Sequence, residues 1–244
     1  MTAHSLDDSR RRTSGYQHER FEIRRQTLRW LMRVIGVPLF AKIDRIEGIE
    51  NVPSSGQAIL LINHIAFIDP VVVLHLLPRN IIPLAKVEVY DYPIIGIFPK
   101  IWGVIPVKRD EVDRHAVQSC LEVLRSGEII LVAPEGTRGP ALKQGREGVA
   151  YLASRSGAPV VPVAIDGTEG FPALRYTQRW HQPGAHIRFG RPFIYHGDLN
   201  RSKAQTLRQM TDEAMYVLSS LLPEYRRGVY ADLSKATQET FEWL

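Results

Sequence analysis

Cysteine and long hydrophobic runs are what this sequence most clearly lacks. Cys120 is the only cysteine in 244 residues, which excludes a disulfide framework and a cysteine-rich metal site. It falls on the apolar face of a helical pattern, so we expect it to be a small core residue. No run approaches the roughly 20 apolar residues that a membrane-spanning helix needs, and no secretory signal is recognisable. We therefore expect the protein to begin and stay on the cytoplasmic side.

Nucleotide-binding and metal-binding patterns are also missing. The sequence contains neither a Walker pattern nor a G-x-G-x-x-G fingerprint, and its His and carboxylate spacings match no common zinc pattern. Internal repeats and low-complexity segments are absent as well. We therefore expect neither a bound metal nor a nucleic-acid partner.

Excess positive charge is absent from most of the chain and concentrated at its start. The formal net charge is +5, and residues 1–46 contain ten Lys or Arg against five Asp or Glu, so this segment accounts for the whole excess. Residues 1–18 are polar and have nothing to pack. We expect them to form a disordered basic N-terminus.

Residues 19–46 are predicted to form an amphipathic membrane-association helix and a connector. Arg25, Arg29 and Arg33 recur every four residues beside an apolar stripe, and Pro38 should end or kink the helix. Two interpretations fit this pattern. The helix lies in an anionic membrane interface with its arginines near the headgroups, or it is a terminal helix docked on the domain's own core.

The remaining chain alternates apolar runs with helical patterns. Strands are predicted near 41–46, 58–63, 81–85, 103–107, 129–133, 160–165 and 186–190. Helices are predicted near 70–77, 111–125, 146–155 and 203–221. This alternation predicts an α/β fold in which residues 47–222 form one domain with a largely parallel central sheet flanked by helices. Sites in such folds collect where strands end and helices begin. Residues 223–244 are predicted to be a C-terminal tail, to which we assign no chemistry.

The stretch 58–70, AILLINHIAFIDP, connects a strand predicted to be buried on both faces to a helix. His64 follows the strand, and Asp69 comes five residues later, so a turn between them could bring the two side chains together. The carboxylate would accept a hydrogen bond from one ring nitrogen and leave the other as a base. The alternative is structural, with Asp69 as a helix cap and His64 as an ordinary hydrogen-bonded residue.

Two further strand ends carry polar groups. One predicted strand ends in Lys108 and Arg109, and another is followed by a loop with these residues: Glu135, Gly136, Thr137, Arg138 and Lys143. The glycine permits a positive φ, so this loop can present amides, a hydroxyl and a guanidinium to an anion. Two arginines from separate strand ends could hold a phosphomonoester while its alcohol faces His64. Simple surface charge is the alternative.

These motifs together resemble the glycerophospholipid acyltransferase family, whose typical member is a 1-acylglycerol-3-phosphate O-acyltransferase. The matching blocks are NHIAFID (63–69), GVIPVKR (103–109), APEGTR with LKQG (133–138, 142–145) and VVPVAI (160–165). The resemblance implies that His64 is the catalytic base and Asp69 its orienting partner. It places Arg109, Glu135, Gly136 and Arg138 among the substrate-binding residues, to which we add Thr137 and Lys143. Ala66 stands where many members have a small hydroxyl residue.

The resemblance also implies an activity. A fatty acyl group would pass from acyl-CoA or acyl carrier protein, as co-substrate and with no other cofactor, to the hydroxyl of a lysophospholipid such as 1-acylglycerol 3-phosphate. The expected partners are this acceptor, the acyl donor and an anionic membrane surface, with peripheral or monotopic attachment to the cytoplasmic side of the cell membrane. Three alternatives stay open: another lysophospholipid or alcohol as acceptor, a lipid or thioester hydrolase, and a noncatalytic lipid-binding protein.

Overall fold

The structure, a computed structural model, describes residues 18–93, 95–108, 113–197 and 204–244. Arg109 and almost all of the predicted disordered N-terminus lie outside these ranges, so the predictions made for them stay predictions.

One mixed sheet organises the described residues. Its nine strands in that part of the chain are β1 Ile43–Glu47, β2 Ala58–Ile62, β3 Ile81–Lys86, β4 Ile105–Val107, β5 Ile129–Val132, β6 Val160–Asp166, β7 Ala185–Phe189, β8 Phe193–Tyr195 and β9 Phe241–Trp243. Seven strands follow the order β1-β7-β6-β2-β5-β3-β4, while β8 pairs with β6 and β9 with β8. The pairs β6–β7, β6–β8 and β8–β9 are antiparallel, and the other neighbours are parallel. The predicted largely parallel sheet is therefore confirmed, with β8 and β9 as additions.

Helices cover both faces of the sheet. They are α1 Glu22–Leu31, a π-helical stretch Met32–Gly36, α2 Val37–Phe40, α3 Asp69–Leu76, α4 Ile97–Trp102, α5 Arg114–Arg125, α6 Gly148–Ser156 and α7 Ala204–Leu221. Short 3₁₀ segments are His18–Phe21, Ile49–Asn51, Val87–Asp91, Gln178–His181, Glu224–Arg226, Gly228–Tyr230 and Leu233–Lys235. One hydrophobic core lies between the sheet and α5, α6 and α7, and a second lies under α3, α4 and the N-terminal helix.

Strand β2 lies at the centre of the sheet, and this position explains why its sequence is continuously apolar. Ile59 and Leu61 pack into one core, whereas Leu60 and Ile62 pack into the other, and each of the four is at most 1% exposed. A strand buried on both faces has no use for polar alternation. Its parallel neighbours β5 and β6 bring the residues that follow all three strands to one edge of the sheet.

The N-terminal helix is docked on the domain through its arginines and through Leu28 and Met32, which pack against the second core. Arg25 is fully buried and donates from Nε to the carbonyl oxygen of Trp102 at 2.8 Å. Arg29 donates to the carbonyl oxygen of Pro78 and the side chain of Asn80, both at 2.6 Å, and Arg33 donates to the carbonyl oxygen of His75 at 3.3 Å. Arg25 is therefore buried in the fold and Arg29 is partly buried, so these two do not extend towards lipid headgroups as expected, whereas Arg33 remains exposed. The carbonyl groups that the three arginines satisfy lie around the ends of α3 and α4.

The opposite side of this helix exposes apolar side chains instead. Ile23 is 79% exposed and Trp30 59%, and Val34 and Ile35 are about half exposed. Pro38 does not end the helix. The π-helical turn precedes it, and the N–H of Val37 reaches the carbonyl oxygen of Met32, a widening that is common where a proline disturbs the regular ladder. No helix in the described ranges is long and apolar enough to cross a membrane.

The segment 223–244, predicted to be a tail, is built into the fold. Its strand β9 pairs with β8, and its anchor is Glu213 of α7, which is 1% exposed. Oxygen Oε1 of Glu213 accepts from Thr237 Oγ1 and the N–H of Glu239, and Oε2 accepts from the N–H and Oγ1 of Thr240. The last 22 positions are thus held against α7 and β8.

Candidate active site

His64 and Asp69 are in contact, as their spacing predicted. Nδ1 of His64 lies 2.9 Å from Oδ2 of Asp69, the aspartate is fully buried, and 19% of the histidine side chain is exposed. An ionised carboxylate only accepts hydrogen bonds, so the proton of the neutral imidazole resides on Nδ1 and Nε2 carries the lone pair. The pair therefore presents one ring nitrogen as a potential base.

Asp69 serves the turn and not the helix that follows it. Its Oδ2 also accepts from the backbone N–H groups of Ile65 and Ala66, each at 2.8 Å, and α3 begins without a side-chain cap. These contacts close the loop between β2 and α3 around one oxygen. The purely structural interpretation of Asp69 as a helix cap is thereby wrong. Ala66 uses its backbone here, which needs no hydroxyl side chain.

Asn63, which precedes His64, ties the end of β2 to β6. Its amide nitrogen donates to the carbonyl oxygen of Ile165 at 2.8 Å, and its amide oxygen accepts from the N–H of Ile165 at 2.7 Å. This reciprocal pair continues the β2–β6 ladder with a side chain after the β2 strand has ended. His64 therefore begins its turn from a backbone with little freedom.

The loop after β5 is tied to the same turn through Glu135. This carboxylate is 6% exposed, and its Oε2 accepts from the N–H of Lys143 at 2.8 Å. Burial raises the pKa of Glu135, an effect opposed by hydrogen bonds from the backbone N–H groups of Lys143 and His64. The N–H of Gly139 also donates to the carbonyl oxygen of His64 at 2.9 Å. Glu135 therefore holds the loop in shape beside His64.

The predicted anion-binding residues occupy the open part of that loop. Gly136 has a φ of 68°, which favours glycine, and Thr137, Arg138 and Lys143 are exposed. The guanidinium of Arg138 lies 6.0 Å from the ring centre of Phe67, inside the His64–Asp69 turn. Within the described ranges Arg138 makes no hydrogen bond or ion pair. The structure thus brings Arg138 to the candidate site, whereas Arg109 lies outside the described residues.

Thr168 completes the surroundings of Asp69, and sequence reasoning missed it. Its Oγ1 donates to Oδ1 of Asp69 at 2.5 Å, and it is 1% exposed. The available signal was its position two residues beyond β6, at the edge where the other polar groups gather.

Two other chemistries have no support in the described residues. Cys120 is buried in the core between the sheet and α5, α6 and α7, as predicted, and burial raises the pKa of its thiol to about 12. It is therefore no nucleophile at neutral pH. No group of three or more His, Cys, Asp or Glu side chains in the described part of the chain is arranged to hold a metal ion.

The fold and this edge define an α/β protein with a histidine–aspartate pair where its central parallel strand ends. The family model for acyltransferases matches residues 44–166, which is half of the chain and runs from the second residue of β1 to the end of β6, and the protein belongs to that family.

Among its relatives, the chain is 35% identical over 141 residues to the chloroplastic 1-acyl-sn-glycerol-3-phosphate acyltransferase LPAT1 of Arabidopsis thaliana, covering 55% of this chain and 38% of that one. It is 30% identical over 130 residues to the 1-acyl-sn-glycerol-3-phosphate acyltransferase of Borreliella burgdorferi, covering 52% of each. The chain thus spans about half or less of the length of these relatives.

A solved structure supports the same fold. The 1-acyl-sn-glycerophosphate acyltransferase PlsC from Thermotoga maritima superposes with a TM-score of 0.54 at 23% identity, covering 83% of this chain and 77% of that chain. The likeness includes more of the chain than the family model does.

Proposed function

We propose that the protein transfers a fatty acyl group from a thioester of coenzyme A or acyl carrier protein to the free hydroxyl of 1-acylglycerol 3-phosphate, giving phosphatidic acid. The observation that carries this proposal is the contact between Nδ1 of His64 and Oδ2 of Asp69 at the strand edge shared with the glycine loop. The names of the relatives support the choice of acceptor.

In the proposed mechanism, Nε2 of His64 removes the hydroxyl proton of the acceptor as its oxygen attacks the thioester carbonyl carbon. The tetrahedral intermediate then collapses, the carbon–sulfur bond breaks, and the thiolate takes the proton from the imidazolium. A positioned base commonly contributes about 10²–10⁴-fold to the rate. No acyl-enzyme forms on this route, in keeping with the burial of Cys120.

The loop after β5 would supply the electrostatic half of the mechanism. The N–H of Gly136 is already bonded to the carbonyl oxygen of Ala133 at 3.0 Å, and the N–H of Gly139 to His64. The N–H groups of Thr137 and Arg138 have no acceptor in the described part of the chain. We assign these two amides to the developing oxyanion and the side chains of Arg138 and Lys143, with Arg109, to the acceptor's phosphate.

An assay of the purified protein tests this function. Acceptors with and without phosphate, including 1-acylglycerol 3-phosphate, glycerol 3-phosphate, other lysophospholipids and monoacylglycerol, are crossed with acyl-CoA and acyl carrier protein donors, with His64→Ala as blank. We expect the highest kcat/KM for 1-acylglycerol 3-phosphate. Free fatty acid released equally with and without acceptor would instead identify a hydrolase, and saturable lipid binding without turnover would identify a lipid-binding protein.

The exposed apolar side of the N-terminal helix supports peripheral attachment to a membrane. Trp30, Val34 and Ile35 point away from the arginines that dock the helix, and Leu39 and Phe40 continue the exposed stripe. Leu174 and Tyr176 lie next to the end of this stripe, because the N–H of Arg175 donates to the carbonyl oxygen of Leu39 at 3.0 Å. A lipid surface would bury these side chains, while Arg25 is buried in the fold and cannot reach that surface.

Vesicle sedimentation distinguishes this attachment from an electrostatic one. The double variant Val34→Glu with Ile35→Glu should lose most vesicle binding, whereas Leu244→Glu, an exposed leucine replaced at the far end of the chain, should keep it. Binding of the unchanged protein should persist in high salt, which screens exposed charges but not apolar burial. If high salt abolishes vesicle binding and the double variant still binds, attachment through the apolar surface would be rejected.

A further inference from the structure

The turn that follows β6 touches the candidate catalytic pair from a different part of the chain. Asp166, Gly167, Thr168 and Glu169 form this turn, and Thr168 reaches across to Asp69. Only the first of these residues lies inside the region that the family model matches.

The two oxygens of Asp69 have unequal support. Oδ2 receives three hydrogen bonds, from Nδ1 of His64 and the N–H groups of Ile65 and Ala66, all within its own turn. Within the described residues Oδ1 receives one, from Oγ1 of Thr168 at 2.5 Å, and both side chains are buried. A carboxylate can rotate about its Cβ–Cγ bond, and Thr168 is the contact that holds the second oxygen. The hydroxyl therefore fixes which face of Asp69 meets the imidazole.

The β6 turn is itself held by Arg226 of the C-terminal segment. Nε of this arginine donates to Oδ1 of Asp166 at 2.7 Å, Nη2 to Oε1 of Glu169, and Nη1 to the carbonyl oxygen of Pro140 at 2.8 Å. One guanidinium, 8% exposed as a residue, thus spans the β6 turn and the glycine loop. The backbone carbonyl oxygen of Arg226 also accepts a hydrogen bond from the N–H of Leu142 at 2.8 Å. Arg226 thus links the β6 turn to the loop after β5.

We propose that Thr168 is a positioning residue for the His64–Asp69 pair and that Arg226 keeps it in place. The inference rests on the proposed function for its kinetic test but not for its spectroscopic one. Thr168 acts through Asp69 and does not touch substrate. Its loss should therefore lower kcat while leaving the KM values of donor and acceptor unchanged.

The test compares two replacements of one side chain. Thr168→Val keeps the shape and removes the hydroxyl, and Thr168→Ser keeps the hydroxyl and removes a methyl group. Loss of one buried hydrogen bond predicts about ten-fold lower kcat for the valine variant, with the serine variant restoring most of it. Thr211→Val serves as control, because Thr211 is similarly buried on α7 and its hydroxyl donates to the carbonyl oxygen of Leu207 within its own helix.

The spectroscopic arm needs no substrate. The Nδ1–H proton resonance of His64 in the free protein, assigned by its absence in His64→Ala, should be present in the unchanged protein and in Thr168→Ser. It should be shifted or broadened in Thr168→Val. Suppose that the unchanged protein acylates no acceptor but the three proteins show these His64 resonances. That result would reject the proposed function and leave the positioning role of Thr168 supported.

Two results would overturn the positioning role. One is an unchanged kcat and resonance in folded Thr168→Val, and the other is a serine variant as impaired as the valine variant, which would assign the effect to packing. Should Thr168→Val fail to fold, Arg226→Lys replaces it, because lysine keeps the charge but has one nitrogen in place of the three separate nitrogens that Arg226 uses. It should produce the same change in the His64 resonance, and an unchanged resonance there would count against the proposal.

Discussion

The His64–Asp69 turn and the Gly136–Arg138 loop meet at one edge of the sheet but are built in opposite ways. Within the described ranges Asp69 accepts four hydrogen bonds and is fully buried, whereas Thr137 and Arg138 are exposed and their side chains make none. A base has to be oriented before the substrate arrives, because its proton transfer depends on geometry. Cations that bind a substrate's phosphate must not be paired with other groups of the protein before the substrate binds. The His64–Asp69 pair is therefore oriented in advance, whereas, among the described residues, Arg138 is left free to bind an anion.

Removing the base should have the largest effect. We expect His64→Ala to reduce acyl transfer by at least about 10²-fold, the low end for loss of a general base, with little change in thermal stability because the histidine is partly exposed. Initial rates and thermal melts measure both quantities, with His115→Ala, an exposed histidine on α5, as control. Near-normal turnover by a folded His64→Ala protein would remove the mechanism proposed for this turn.

Asp69→Asn tests whether the turn depends on an acceptor that is charged on both oxygens. The amide nitrogen of asparagine must face one set of donors, so we expect a loss of activity similar to or smaller than that of His64→Ala together with a lower Tm. The two variants therefore differ in stability more than in rate. An Asp69→Asn protein as stable as the unchanged one would show that the donors around Asp69 contribute little to the fold.

Arg138→Ala probes the open loop and should have a smaller, acceptor-dependent effect. Loss of a charge-assisted hydrogen bond costs roughly 1.5–3 kcal/mol, or about one to two decades in kcat/KM for 1-acylglycerol 3-phosphate. Monoacylglycerol, which has no phosphate, should be affected much less. The control is Arg125→Ala, an exposed arginine at the end of α5 that leads to the opposite edge of the sheet. Equal penalties on both acceptors would refute the phosphate assignment.

Glu213 provides a structural counterpart to Asp69, because its dense hydrogen bonding is with the C-terminal segment and not with the candidate catalytic pair. Burial alone would raise the pKa of Glu213, but hydrogen bonds from Thr240, Thr237 and the N–H of Glu239 outweigh it and lower the pKa below its ordinary 4.5. A lowered pKa in the folded state stabilises the protein fully above the unfolded value, and this contribution is lost as the pH falls through the folded pKa.

Glu213→Gln should therefore destabilise the fold with little effect on kcat. We expect a loss of about 1–3 kcal/mol in the free energy of unfolding at pH 7. The difference from the unchanged protein should shrink as the pH is lowered below about 4.5, as followed by urea denaturation over a pH series. A difference that stays constant with pH would mean that the ionised carboxylate is not what anchors the C-terminal segment.

Local sequence determined the elements and the first contact of the candidate site. The continuous apolar run 58–62 predicted a doubly buried strand, and the five-residue spacing of His64 and Asp69 was short enough for one turn to bring them together. The glycine loop followed from a local requirement for positive φ at Gly136. Each of these inferences needed only neighbours in sequence and the rule that parallel strands end at one edge.

Only the tertiary structure decided which side of the N-terminal helix faces the protein. Leu28 and Met32 of the predicted apolar stripe pack into the core, but so does Arg25, which donates to the carbonyl oxygen of Trp102, 77 positions away. The apolar residues Ile23, Trp30 and Val34 remain exposed. The contacts of Thr168 with Asp69 and of Arg226 with the β6 turn span 99 and about 60 positions. Periodicity and short spacing carry no information about such pairs, because their geometry follows from how β2, β6 and the C-terminal segment pack together.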